Sequence, residues 1–327
     1  MAVNYITGAK YAITITNNTG YNTPTNFAQR ITLSPATVQK MFINSDLSNL
    51  QFTSDAAGTT VLNSWRESGT SPNGSITFYV LLPSVLNNGS STTIYLQSRG
   101  IGQNVLNTTN TGVAPQLTST YAQYDNGSTV FPNAYYRFGG LSGGKLPSGW
   151  TINNTATITN NATNTTFGSG GDGYPNYVAY SGTATGTAIE MYGVISDTAS
   201  TPILFGYNDG TNNSSFSIAF GLNTTSSTAD YGCFTGGNQS TAAWTCSYAQ
   251  DTKNHVFTAS YDSTTSGHIF VDYGYGGSGS LTTYTTDYII ITPDTNGSTA
   301  TMTIYWLRVR PNIVGDAMPT TSVAFLY

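Results

Sequence analysis

Short runs rich in β-branched and aromatic residues recur along this chain, each bounded by Gly, Asn, Ser or Pro. The first hundred residues contain the runs KYAITIT, FAQRITL, LQFTSD, TVLNSW, SITFYVLLP and STTIYLQS. Local alternation of apolar and polar residues is typical of half-buried strands, and no window keeps a helical period. A single helical turn is expected after Ser34, which can cap it, with Pro35 in its first position. These features predict an all-β protein.

The length of the chain predicts more than one domain. At 327 residues it exceeds the ~250–300 residues at which a single core stops growing. The strand-like runs dissolve in the polar stretch 106–129 and resume near VFPNAYYRF. We therefore predict two jelly-roll-like β-sandwich domains, at 1–105 and 130–327, joined by a linker at 106–129. The last apolar run, TSVAFLY, is expected either to complete a sheet of its own domain or to pair with a neighbouring subunit's sheet edge.

Charged side chains are scarce in this sequence. Asp, Glu, Lys and Arg make up 8% of the residues, against ~25% in ordinary soluble proteins, and no Lys or Arg lies between Lys145 and Lys253. A surface kept soluble by hydroxyl and amide groups suits an extracellular or virion-surface location. The net charge is −5 and no basic cluster is present. Nucleic acid is therefore excluded as a partner, because its phosphates must be neutralised by Lys and Arg.

The sequence contains no segment typical of membrane insertion. No apolar run approaches the ~18 residues of a transmembrane helix. The start, MAVNYITGAKYAITIT, lacks the apolar region of a secretory signal. Two expectations follow: either a signal was removed ahead of Met1, or the protein leaves the cell without one, as a virus structural protein would.

Two cysteines, Cys233 and Cys246, flank a turn-rich stretch of twelve residues. A disulfide closing this hairpin would contribute ~3 kcal/mol by loop-entropy reasoning. We predict this disulfide, which is consistent with an oxidising location. Two reduced structural cysteines are the alternative, and a metal site is not expected with only His255 and His268 available.

Thirteen Asn-x-Ser/Thr sequons occur in the chain, and each of its four Asn-Gly dipeptides is followed by Ser. Asn-Gly favours tight turns, and an exposed turn is a natural site for a glycan. The alternative is plain turn chemistry in a Ser-rich sequence. The predicted glycosylation sites are Asn17, Asn73, Asn88, Asn107, Asn126, Asn153, Asn161, Asn164, Asn212, Asn213, Asn223, Asn238 and Asn296.

Residues with catalytic potential are few, and their contexts favour structural roles. His255 and His268 both lie in strand-like runs, and no Ser occupies a nucleophile elbow. Glycosidases need paired carboxylates, but Asp197 follows Glu190 by seven residues and would face the opposite side of one strand. We therefore expect no catalytic residues and no enzymatic activity.

Cofactor sites are equally poorly supported by the sequence. Asp172, Asp209, Asp262 and Asp294 lie in Gly- and Thr-rich loops that could offer oxygen ligands to calcium, but no loop has the dense acids of a tight site. We expect no metal or other cofactor, with calcium as the alternative. The motif GYGGSG, which begins at Gly274, matches a dinucleotide fingerprint, but no helix follows it, so we interpret it as a flexible or bulged hairpin loop. The 23 Tyr and four Trp either fill cores or form a sugar-stacking surface.

The segment LQFTSDAAGTTVLNSWRESG, preceded by YAITITNN and followed by SITFYVLLPSV and STTIYLQSRG, resembles a known family. The family is a domain of unknown function in archaeal and bacterial surface proteins, and the resemblance covers about residues 10–100. Its closing YGN is replaced by QSRG, so the domain ends differently here. The matching positions are Leu50, Phe52, Thr53, Asp55, Leu62, Trp65, Glu67, Pro83 and Tyr95.

That family domain often precedes a concanavalin A-like or laminin-G-like lectin domain. Here FGGLSGGKLPSGWTI and YWLRVRPNIVGDAMPT resemble the opening and closing segments of such a domain. The resemblance therefore implies a concanavalin A-like second sandwich and a surface role, and it supplies no catalytic residues. Such domain pairs are similar to components of archaeal virus particles and cell-surface filaments.

The sequence thus favours a protein that acts by binding and assembly. The first hypothesis is a virion-surface structural or host-attachment protein of an archaeal virus, glycosylated and able to bind glycans. The second is an archaeal cell-surface glycoprotein, either a filament subunit or an adhesin, and the third is a secreted carbohydrate-active enzyme. The expected partners are further copies of the chain, other virion or surface proteins, and host-surface glycans.

Overall fold

A computed structural model describes residues 10–41, 43–152, 157–168, 176–196, 204–209, 216–223, 230–236, 244–281, 288–292 and 301–326. The chain forms two compact units. One comprises Met1–Pro132 together with Ala317–Tyr327, and the other comprises Asn133–Asp316.

The first unit is built from two four-stranded sheets. Its strands are β1 Lys10–Thr16, β2 Ala28–Leu33, β3 Leu50–Thr53, β4 Ser64–Ser68, β5 Ile76–Leu81, β6 Ser91–Ser98, β7 Thr111–Val113 and β22 Thr320–Leu326. The strand order is β22-β1-β6-β3 in one sheet and β2-β5-β4-β7 in the other. The sheets meet at their apolar faces, where the rings of Phe52 and Phe78 lie 5.1 Å apart. Alternation along β1 buries Tyr11, Ile13 and Ile15 in this core.

Two single-turn helices, α1 Pro35–Val38 and α2 Gly127–Val130, accompany these sheets. The helical turn predicted after Ser34 is confirmed as α1. The hydroxyl of Ser34 accepts a hydrogen bond from the backbone N–H of Thr37, and Pro35 occupies the first turn.

The second unit is built from an eight-stranded and a six-stranded sheet. Its strands are β8 Ala134–Arg137, β9 Ile158–Asn160, β10 Thr165–Phe167, β11 Asn176–Ala179, β12 Thr187–Ser196, β13 Leu204–Asn208, β14 Phe216–Asn223, β15 Asp230–Gly236, β16 Trp244–Ala249, β17 His255–Ser263, β18 Ser266–Val271, β19 Gly274–Ser280, β20 Tyr288–Thr292 and β21 Thr301–Pro311. The larger sheet runs β19-β18-β17-β12-β21-β10-β9, with β8 also paired to β21, and the smaller runs β11-β20-β13-β14-β15-β16.

Both sheets of the second unit contribute to one apolar core. The ring of Phe257 on β17 lies 5.1 Å from Phe220 on β14 and 4.9 Å from Tyr231 on β15. This face-to-face packing makes the unit a β-sandwich. The predicted all-β architecture of two sandwiches is therefore confirmed.

The predicted domain boundaries need correction, because residues 106–129 do not form a free linker. They contain β7, which pairs in parallel with β4. The indole N–H of Trp65 donates to Asp125 at 2.9 Å, so the end of this stretch is fastened to the same sheet. The polar composition of this stretch predicts a linker, but its backbone pairing, the Asp125 carboxylate and the buried side chains of Val113 and Ala114 attach it to the sandwich.

The placement of the C-terminal strand also differs from the prediction. β22 does not extend a sheet of the second unit, but pairs with β1 along seven residues, from Thr16–Thr320 to Lys10–Leu326. The last strand of the sequence therefore completes the first sandwich. Local sequence cannot reveal such a pairing, since it depends on which sheet edge the chain reaches after leaving β21.

The GYGGSG motif forms the edge strand β19 rather than a loop. It pairs with β18, with a register shift between Ile269 and Phe270. Small residues at an edge permit such a bulge.

No helix in the described part of the chain is long and apolar enough to cross a membrane.

Candidate functional site

The eight-stranded sheet has one face in the sandwich core and one face turned away from it, here called the outer face. Alternation along each strand sorts the residues between the two faces. Ile189 and Met191 of β12 join the core, whereas Glu190 between them lies on the outer face. On β21, Leu307 and Val309 join the core, so Arg308 lies on the same side as Glu190.

Glu190 lies at the centre of a buried ion network on the outer face. Its side chain and those of Arg308 and Arg310 are at most 1% exposed. Arg308 Nε donates to Glu190 Oε2 at 2.5 Å, and Arg310 Nη2 donates to Glu190 Oε1 at 2.9 Å. Thr258 on β17, directly opposite Glu190, donates its hydroxyl at 3.2 Å. Strand register therefore places a donor on each side of this carboxylate.

Asp316 supplies the second carboxylate of the network. Arg310 Nη2 also donates to Asp316 Oδ1, which is buried in the 3-10 turn Val314–Asp316. The backbone there is left-handed, with φ of 72° at Gly315 and 53° at Asp316. Two guanidinium groups and two carboxylates balance each other, which is the condition under which buried charges are tolerated.

The electrostatics of the network keep Glu190 ionised. Burial raises the pKa of a carboxyl group, but the charges of Arg308 and Arg310 outweigh burial and lower the pKa of Glu190 to about 2. A general acid in a glycosidase needs the opposite, a raised pKa that retains its proton. Glu190 is thus held as a structural anion. The other half of the predicted pair, Asp197, lies outside the described residues.

A second polar group lies on the outer face at β17 and β18. His268 Nδ1 forms a hydrogen bond with Asp262 Oδ2, and Asn312 Nδ2 donates to Asp262 Oδ1 at 2.7 Å. Both oxygens of Asp262, considered above as a calcium ligand, are therefore engaged by protein groups. No group of three or more His, Cys, Asp and Glu side chains suited to a metal occurs in the described part. Asp172 and Asp294 lie outside that part, and Asp209 follows β13.

His255, at the start of β17, lies between two carboxylates. Its Nδ1 is 2.6 Å from Asp272 Oδ2, and its Nε2 is 2.7 Å from Asp251 Oδ1. Only a protonated imidazole can donate from both nitrogens. Partial burial lowers the pKa of His255, but the hydrogen bonds to Asp272 and Asp251 outweigh it, so the pKa is raised. His255 thus links the connection between β16 and β17, at Asp251, to the turn between β18 and β19, at Asp272.

Tyr275 on β19 is the most exposed aromatic residue among those of the second unit that the structure describes. It is 58% exposed. The ring centroid lies 6.0 Å from His268 and 6.0 Å from Phe270, and the hydroxyl hydrogen-bonds to Ser278 at 2.8 Å. We call His268, Tyr275 and Ser278 the Tyr275 patch. It combines an exposed aromatic side chain with hydrogen-bonding groups, which is the chemistry that sugar binding requires.

The predicted glycosylation sites differ in accessibility. Asn73 and Asn88 are exposed in turns, as predicted, and Asn161 is also exposed. Asn164 is half-buried. Asn107 is half-buried too, and its Nδ2 donates to Val105 O at 3.0 Å.

Two of the predicted sites are structural instead. Asn17 is fully buried, and its Nδ2, the atom that would carry a glycan, donates to the carbonyls of Tyr21 and Leu86, each at 2.8 Å. Asn126 is 1% exposed, and its Nδ2 donates to Ser64 O at 3.1 Å. Attaching a glycan to either one in the folded chain would break these bonds, so both predictions are corrected.

The remaining sequons fall outside what the structure describes. Asn223 is the last residue of β14. The sites outside the described residues are Asn153, Asn212, Asn213, Asn238 and Asn296.

Cys233 and Cys246 occupy neighbouring strands, β15 and β16, but no disulfide joins them. Both side chains are buried in the core of the second unit. The register places Trp244, not Cys246, directly opposite Cys233. This arrangement differs from the predicted disulfide and corresponds to the alternative of two structural thiols. Burial raises the pKa of the Cys233 thiol well above its ordinary value.

The fold defines the class of this protein as an all-β chain of two sandwiches. No family model matches it. A stretch of 128 residues is 41% identical to uncharacterized protein 562 of Sulfolobus islandicus rod-shaped virus 1. The match covers 39% of this chain and 22% of the viral protein, so the chain spans about a fifth of the length of that relative.

Solved structures similar to this chain include carbohydrate-binding and carbohydrate-active proteins. The carbohydrate recognition domain of Emp47p has a TM-score of 0.35 and 10% identity, covering 54% of this chain and 94% of that domain. The apo Crh5 transglycosylase has a TM-score of 0.39 and 9% sequence identity, and the match covers 55% of this chain and 85% of the transglycosylase. A β-1,3-glucanase from Mycobacterium marinum has a TM-score of 0.37 and 14% sequence identity, and the match covers 54% of this chain and 97% of the glucanase. Scores this low add nothing to the all-β architecture described above.

Proposed function

We propose that this chain is a non-enzymatic structural protein on the surface of an archaeal virus particle and that it attaches the particle to host glycans. The observation that carries the proposal is the 41% identity, over 128 residues, to a protein of a rod-shaped archaeal virus. Identity at that level over such a length reflects common descent. The scarcity of charged residues, at 8%, supports an exterior location.

The geometry of the outer face supports binding rather than catalysis. Glycoside hydrolysis uses two carboxyl groups on either side of the scissile bond, one of which donates a proton. Glu190 has no proton to donate near neutral pH and is enclosed by Arg308 and Arg310. The Tyr275 patch, in contrast, offers an exposed ring beside polar groups.

The location is tested on purified virus particles. Antibodies against the chain, coupled to gold, should label intact particles, and mass spectrometry should recover peptides from both units. The same antibodies applied to uninfected host cells distinguish the alternative, an archaeal cell-surface glycoprotein. A chain that is absent from washed particles refutes the virion role.

Glycan binding is tested with the purified chain and glycans released from the host envelope. Tyr275→Ala should weaken binding about fivefold, because an aromatic contact of this kind contributes ~1 kcal/mol. Tyr21→Ala is the matched control, since Tyr21 is 54% exposed but belongs to the first unit. Equal binding by the two variants refutes the assignment to the Tyr275 patch, and release of free sugar by the wild-type chain would favour the enzyme hypothesis.

A further inference from the structure

The connectivity of β22 separates it from the sandwich that it completes. The chain leaves β21 of the second unit at Pro311 and passes through the turn Val314–Asp316. It then enters the first unit as β22, at the edge of the sheet β22-β1-β6-β3. Within this sheet, β22 is therefore tethered through the second unit and not through its neighbour β1.

The pairing of β22 with β1 depends mainly on the backbone. Five of the seven side chains of β22 are exposed and two are half-buried. Side-chain contacts include the rings of Tyr11 and Phe325, 5.1 Å apart, and the bond from Gln29 Nε2 to Pro319 O at 3.1 Å. An identical strand from another copy would make the same ladder and the same contacts, so pairing energy alone does not favour a copy's own strand.

The chain is held in place just before β22, whereas β22 itself lacks the features that protect sheet edges. Asp316, the last residue of the second unit, is held by Arg310. Only Ala317, Met318 and Pro319 separate it from β22. Edge strands usually carry a charge or an internal proline that discourages further pairing. The sequence of β22, TTSVAFL, contains neither.

We propose that β22 is exchanged between copies of this chain, so that β22 of one copy pairs with β1 of the next. This inference deepens the proposed structural role, on which it rests, by naming a second copy as the partner. The donated strand and the accepting edge are different surfaces, so exchange closes into a dimer when it is reciprocal and otherwise joins copies head-to-tail into larger rings or filaments. When β22 leaves, the backbone of β1 becomes an open edge that only an equivalent strand can satisfy fully.

The test uses full-length chains that carry one new cysteine each. Thr14 and Ser322 are opposite each other in the β1–β22 register, and neither side chain is buried. Thr14→Cys and Ser322→Cys chains are mixed, warmed to permit exchange, cooled and oxidised. Exchange predicts a disulfide-linked heterodimer on a non-reducing gel, with the new linkage identified by mass spectrometry.

The matched control replaces Thr14→Cys by Thr93→Cys. Thr93 lies opposite Thr14 on β6, so a strand separates it from β22 even in an exchanged assembly. This control pair should give no heterodimer, and it also corrects for any reaction of the native cysteines.

Two results overturn the proposal. One is a Thr14→Cys plus Ser322→Cys mixture that gives no more heterodimer than the control, while a single chain carrying both substitutions forms its internal disulfide. The other is a wild-type chain that stays monomeric by light scattering at several hundred micromolar after the same warming. Both exchange experiments use the purified chain, so their outcome is independent of the particle-labelling experiment. Exchange can be absent although the particles are labelled, and it can be present although the particles are not labelled.

Discussion

Replacing Glu190 with glutamine should destabilise the second unit strongly. Glu190 neutralises Arg308 and shares Arg310 with Asp316, and its side chain is fully buried. Glutamine has nearly the same volume but leaves one net positive charge in the network. Removing one partner of a buried ion pair costs ~3–5 kcal/mol. For a unit of this size, each kcal/mol lowers the melting temperature by ~2–4 °C, so we expect a loss of about 6–20 °C.

The assay is differential scanning calorimetry of the full chain at pH 7, following the transition of the second unit. Thr258→Val is the control, because it removes a neutral donor to the same carboxylate and should cost only ~1 kcal/mol. A double variant, Glu190→Gln with Arg308→Gln, restores the charge balance. It should therefore be less destabilised than the sum of the two single variants.

The pH dependence adds a second measure of the same network. The pKa of Glu190 is about 2 in the folded chain, below its ordinary value of 4.5. Its contribution is therefore fully present above pH 4.5 and is lost as the pH falls towards 2. The gap in melting temperature between wild type and Glu190→Gln should narrow over that interval. A gap of less than 2 °C at pH 7, or one that does not change with acid, would refute the assignment of Glu190 as a charged centre.

Three further predictions follow from individual side chains. His255→Gln should lower the free energy of unfolding by ~1 kcal/mol or less at pH 6. Because the pKa of His255 is raised in the folded chain, the wild type should lose stability as the pH rises through that pKa, and the variant should lose less. Thermal melts from pH 5 to 9 measure this difference. Glycopeptide mass spectrometry of native material should find glycan at Asn88 and none at Asn17, and an occupied Asn17 would contradict the hydrogen-bonding role of its Nδ2. Iodoacetamide at pH 8 should modify Cys233 only after denaturation, because the thiol is buried and its pKa is raised. Rapid labelling of Cys233 in the native chain would contradict its position in the core.

The ion network was within reach of sequence reasoning but was missed. On β21, the segment LRVR alternates two apolar and two cationic residues, so Arg308 and Arg310 must share one face of a strand. Two charges on one face of a buried-looking strand require carboxylates nearby. Glu190, considered only as half of a catalytic pair, supplies one of them. The identity of the partner strand could not be derived, because β12 and β21 are more than a hundred residues apart in sequence.

The glycosylation sites show a different limit of prediction from sequence. Asn73, Asn88 and Asn126 share the tripeptide Asn-Gly-Ser, yet the first two are exposed and the third is buried. The tripeptide encodes the backbone preference for a turn, and this preference is local. Whether the turn faces solvent depends on what packs on it, and for Asn126 that is the backbone of β4 at Ser64.

The sequence by itself determined the all-β class, the presence of two sandwiches and the capped turn at Ser34, because strand propensity, alternation and capping act between residues close in the chain. Only the tertiary structure decided that 106–129 belongs to the first sandwich, that β22 returns to β1, and that Glu190 joins two arginines. Each of these depends on contacts between distant segments. Such contacts form because buried backbone groups and charges must find partners, and the folded chain determines which partners are within reach.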